Sequence, residues 1–117
     1  MLRRVAREKP LVWLHGEIKT PPFSRPARVE AGFLLRRLQM GEQVAMPTSR
    51  PMPEIGQNCH ELRVADGDVT WRLLYCLEAD AVVILEVFRK KTRTTPKHVM
   101  ATAKLRLRTY RQAMQGD

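Results

Sequence analysis

Two arginines stand where strand geometry would let them hold a phosphate. Arg63 follows Glu61 by two positions in Glu61-Leu62-Arg63-Val64, and Arg72 sits inside Trp71-Arg72-Leu73-Leu74-Tyr75. Alternation puts Glu61 and Arg63 on one face of a strand, and Arg72 with Leu74 on one face of the next. If Asp66-Gly67-Asp68 closes a simple hairpin, the arginines lie within about two residue pairs of each other. That spacing suits a phosphate clamp, and the competing role is an ordinary surface salt bridge to Glu61 or Glu86. A basic run, Arg89-Lys90-Lys91-Thr92-Arg93, leaves the end of a later strand. Arg50 adds a further cation from a proline-containing loop. Breaking RNA without a metal needs a base for the 2′-hydroxyl, an acid for the leaving oxygen and cations at the phosphorane. Arginine and lysine meet the third need, and lysine with a lowered pKa can also move a proton. His60 and His98 have the ordinary pKa best suited to proton transfer near neutrality. His98 is the better candidate, because it falls in the first turn of a predicted helix close to the lysines.

The whole chain is biased the same way. Its 117 residues hold 21 Lys and Arg against 12 Asp and Glu, a formal charge of +9. The excess is spread along the sequence, so the folded body itself is basic and favours polyanions, since each neutralised phosphate releases counterions. The length suits one domain with one working surface. No apolar run approaches the roughly 18 residues of a spanning helix, and the basic N-terminus lacks the apolar core of a signal peptide, so a cytoplasmic location is expected. Cys59 and Cys76 lie in apolar runs without CxxC spacing and read as buried thiols rather than a redox or zinc pair. No metal or cofactor is expected. Dinucleotide-binding, P-loop and GxSxG motifs do not occur.

The elements that must position these groups follow from pattern. Residues 1–9 read as a basic arm, and residues 10–117 as the domain. Leu11 to Leu14 is a short apolar run before Gly16 and Pro21-Pro22, as expected of a first or edge strand. Ser24 and Pro26 open a helix in which Ala27, Ala31, Leu34 and Leu38 recur before Gly41. Residues 42–58, with Pro47, Pro51, Pro53 and Gly56, are expected to form a long loop. Three strands follow, turning at Asp66-Gly67-Asp68 and Glu78-Ala79-Asp80; the third, from Ala81 to Phe88, is apolar enough to be covered on both faces. Thr95 is placed to cap a last helix with Pro96 at its first position. Met100, Ala103, Leu107, Tyr110 and Met114 form its inner stripe, with Lys104, Arg106, Arg108 and Arg111 outside. Trp71, Tyr75 and Phe88 read as core rather than as platforms for bases.

Taken in order, Glu61-Leu62-Arg63, Trp71-Arg72-Leu73-Leu74-Tyr75, Phe88-Arg89-Lys90-Lys91-Thr92, Thr95-Pro96 and the closing helix through Tyr110 resemble the RelE/HigB toxin superfamily, especially its phage-derived HigB-like branch. The resemblance implies an α+β fold, a small antiparallel β-sheet meander packed against helices. It further implies a toxin of a type II toxin-antitoxin system, an endoribonuclease that cuts messenger RNA on the ribosome through 2′-hydroxyl attack. A cognate antitoxin, usually with a helix-turn-helix DNA-binding domain, would mask the basic site. Arg63, Arg72, Lys90 and Lys91 fall on the family's basic motifs, which assigns them phosphate binding and transition-state stabilisation. Arg89, Arg93 and Arg50 are expected to contact RNA, and His98 to join the catalytic set. The C-terminal Tyr or His cluster of several members is not reproduced; Tyr110 lies on the apolar stripe. The alternative is a phage-derived protein that keeps the fold and binds RNA or a partner without cutting. A structural or packaging component of a phage particle is a third reading.

Overall fold

A computed structural model describes residues 8–14, 22–89 and 94–116. Two helices sandwich a five-stranded sheet: β1 (Leu11–Trp13), α1 (Arg25–Gln39), β2 (Ser49–Pro51), β3 (Cys59–Asp66), β4 (Val69–Leu77), β5 (Val82–Arg89) and α2 (Lys97–Gln115). The strands lie in the order β1-β5-β4-β3-β2. The expected meander of β3, β4 and β5 is its centre, but the sheet is mixed, because β1 pairs with β5 in parallel. The fold is therefore α+β with one parallel edge.

Each face of the sheet carries its own core. Leu62, Val64, Trp71, Leu73, Tyr75, Val82 and Ile84 pack under α1 against Ala27, Ala31, Leu34 and Leu38. Cys59, Leu74, Cys76, Val83 and Leu85 pack under α2 against Val99, Ala103 and Leu107. Strand alternation forces this division, and β5 is buried on both faces as its composition demands. The residues 8–9 assigned to the arm are docked: the Lys9 backbone N–H donates to the Gln39 carbonyl at 2.9 Å.

Four local expectations change. The loop over 42–58 contains β2, a three-residue edge strand that tolerates Pro51 because it stands at the sheet's edge. Thr95 does not cap α2; Pro96 is the N-cap, without a side-chain hydrogen bond. Met114 is exposed and Val99 takes a place in the core. Arg106 and Arg111 fold back onto the sheet, donating to the Leu85 carbonyl at 2.7 Å and the Glu78 carboxylate at 2.8 Å.

At the N-terminus of α1, Ser24 accepts from the Ala27 N–H as a helix cap should. Asp66, in the β3–β4 turn where Gly67 has φ of +61°, ties that cap to the sheet. Its carboxylate accepts from the Ser24 N–H at 2.9 Å and from Trp71 Nε1 at 3.0 Å. These donors, with Ser24 foremost, hold the Asp66 carboxyl below its ordinary pKa. A depressed carboxyl pKa contributes stability above the unfolded value, and that contribution fades as pH falls through the folded value. Asp66→Asn should therefore narrow the difference in urea midpoint between neutral pH and about pH 3. An unchanged difference would remove Asp66 from the acid response.

Candidate nucleic-acid interface

Beyond the reach of the α2 core, the same sheet face turns cationic. Arg63 on β3 pairs directly with Arg72 on β4, closer than the hairpin estimate required. Arg50 on β2 pairs with Glu61 on β3. All four therefore stand side by side on three adjacent strands. Two arginines opposed across a ladder repel one another, and Glu61 offsets this from within. Its Oε1 lies 3.5 Å from Arg63 Nε and 3.5 Å from Arg72 Nη1. Glu61 is 0% exposed, so these are not the surface salt bridges that the sequence suggested as the competing role.

Among the described residues the cluster holds three guanidiniums and one carboxylate, an excess of two positive charges when all are ionised. Burial pushes the Arg72 guanidinium below its ordinary pKa, Arg63 and Arg50 push the same way, and Glu61 opposes them. The Nε atoms of Arg50, Arg63 and Arg72 are all buried without a hydrogen-bond acceptor among the described residues. Native proteins satisfy nearly all such donors. Buried unsatisfied donors with surplus positive charge suit an anion, and the planar fork of arginine matches phosphate oxygens.

The other site residues expected from sequence are distributed differently. Arg89 pairs with Trp71, with its guanidinium 5.7 Å above that ring, so it faces the α1 side, away from the cluster. His98 is exposed in the first turn of α2. No described contact joins it to the arginines. Lys90, Lys91 and Arg93 lie outside the described residues. His60 is on the α1 face, stacked on Tyr75 at 5.3 Å, and burial lowers its pKa. Beside it, Tyr75 lies in the core as expected and shares a 2.6 Å hydrogen bond with the Ser49 hydroxyl. Among the described residues no group of His, Cys, Asp and Glu could hold a metal ion, and no helix is long and apolar enough to cross a membrane.

Sequence reasoning set Glu61 on the face of Arg63 as a surface partner of the arginines and missed its burial. The shared face follows from strand alternation, since an acid two positions from an arginine lies on that arginine's side. Its depth was not available, because burial depends on β2, which sequence left in a loop.

Fold and cluster together define the class: a small α+β protein with two helix-covered cores and a cationic stretch of sheet beside the α2-covered one. A model of the family described as Phage derived protein Gp49-like (DUF891) matches residues 22–108, and the chain belongs to that family. No curated protein matches the chain.

Proposed function

We propose that this protein binds RNA through its backbone phosphates, gripping them with Arg50, Arg63 and Arg72 on the open part of the sheet. The observation that carries the reading is that Arg50, Arg63 and Arg72 stand on adjacent strands of one sheet face, with Nε donors that are buried and have no hydrogen-bond acceptor among the described residues. The net charge of +9 supplies long-range attraction for the same partner. A single-stranded RNA oligonucleotide titrated at several salt concentrations tests it. Each phosphate contact adds about 0.7 to the slope of log affinity against log salt. Replacing all three arginines by glutamine should lower that slope by about 2. An unchanged slope in a folded triple variant would end the reading.

A second reading adds chemistry to the grip: a toxin of the RelE/HigB type that cuts messenger RNA on the ribosome and is silenced by an antitoxin. What favours it is the ordered motif set, with Lys90 and Lys91 following directly on β5. In that reading Arg72 and the lysines steady the phosphorane and His98 transfers a proton. Induced expression with mapping of messenger RNA 5′ ends separates the two. Growth arrest with new ends inside translated frames, relieved by the adjacent gene, speaks for the cutting toxin. Normal growth at verified high expression, with no new ends, leaves a phage-derived binding protein that does not cut.

A further inference from the structure

At the opposite end of the α2-covered face, Cys59 and Cys76 face each other directly across β3 and β4. The Leu77 N–H donates to the Asn58 carbonyl at 3.0 Å, which makes the neighbouring 58–77 position the hydrogen-bonded pair. Cys59 and Cys76 therefore occupy a non-hydrogen-bonded pair, the closer kind, with Cα atoms typically about 4.5 Å apart. That separation falls within the range a disulfide spans. Both thiols are free, and both point to one side: their sulfurs approach the Gln57 carbonyl at 3.7 and 3.5 Å. Arg111 Nη2 rests 3.2 Å from Cys76 Sγ while its Nε holds Glu78. Arg111 is thus a latch between the end of α2 and the cysteine pair.

We propose that Cys59 and Cys76 are a reversible thiol-disulfide modification site, oxidised by a small-molecule disulfide of the glutathione type. The neighbouring Cys76 thiol, with help from the Arg111 charge, lowers the Cys59 pKa while burial resists. The proximity of Cys59, with burial, raises that of Cys76. Either order of attack gives the same product; with Cys59 first, its thiolate attacks the small disulfide. It forms a mixed disulfide and releases one small thiol, which takes up the Cys59 proton. Cys76 then gives up its proton and attacks the Cys59 sulfur. The Cys59–Cys76 bond forms, and the second small thiol leaves with that proton. Two protein thiols and one small disulfide become one protein disulfide and two small thiols. The pair is 2% and 0% exposed, so exchange requires Arg111 to release Gln57 and Glu78 and the end of α2 to lift. The closed bond pins β3 to β4 two residues from Glu61, at the strands that carry Arg63 and Arg72. The inference stands on strand register and is independent of the RNA reading.

The test is an equilibrium of the full chain with reduced and oxidised glutathione, approached from both directions. Thiols are counted by alkylation and mass in native buffer and in urea. If the folded register favours the bond, the intramolecular disulfide is at least about tenfold more stable against glutathione in native buffer than in urea. Cys59→Ser and Cys76→Ser should each abolish it. A disulfide equally or less stable in the native state, or one found only between molecules, would overturn the proposal and leave two buried core thiols.

Discussion

Arg72→Ala is expected to weaken binding of single-stranded RNA by about ten- to a hundredfold at low salt, because a hydrogen bond to a charged group contributes about 1.5–3 kcal/mol. Arg72 stands on the central strand of the sheet, with β3 bearing Arg63 and Glu61 on one side and β5 on the other. Its side chain is 14% exposed, so little of its binding capacity is given to water. The slope against salt should fall by about 0.7, the share of one phosphate. Arg72→Lys keeps the charge but loses the planar fork, and its affinity should lie between those of the wild type and Arg72→Ala. Fluorescence anisotropy reads all three, with thermal unfolding as the control for the fold. Binding within about twofold of wild type by a folded Arg72→Ala protein would place the RNA elsewhere. Under the cutting reading, the same substitution should also abolish growth arrest.

Glu61→Ala should produce the largest loss of stability, about 3 kcal/mol by urea unfolding, near the low end for removing one partner of a buried ion pair. The carboxylate is wholly buried, and its loss leaves three guanidiniums repelling one another across adjacent strands. The low end applies because Arg63 keeps 34% of its side chain in water and can turn outward. Glu61→Gln keeps the volume and an acceptor oxygen, so it should cost less. It also raises the excess charge of the cluster by one and should tighten RNA binding while weakening the fold. Opposite movement of affinity and stability is the signature of a carboxylate that assembles the arginines and competes with phosphate for them. A Glu61→Gln protein that loses affinity in proportion to its loss of stability would mean that Glu61 serves the fold alone.

Much of the architecture was legible because it rests on local pattern. Ser24 and Pro26 mark the start of α1, whose buried residues Ala27, Ala31, Leu34 and Leu38 are those of the sequence stripe. The three central strands and their turns follow from alternation and from Asp66-Gly67-Asp68. What local pattern misjudged lay at edges and ends. A three-residue strand such as β2 has too few positions to show a period and is held by its partner β3. Arg106 and Arg111 look like the solvent face of a helix, yet long side chains near the sheet find carbonyl and carboxylate acceptors there.

The sequence by itself determined that the protein is basic throughout, that Arg63 and Arg72 share a hairpin, and that two amphipathic helices cover a sheet. Charge, alternation and turn chemistry are properties of neighbours along the chain. Tertiary structure alone decided that Arg63 and Arg72 are direct partners, that Arg50 joins them from an edge strand, and that Glu61 is buried against Arg63 and Arg72. It also set Cys59 against Cys76 and sent Arg89 to the other face. Each of these depends on the register between strands, which hydrogen-bonded pairing and the filling of two separate cores fix together; a slip of one residue would turn every side chain to the opposite face.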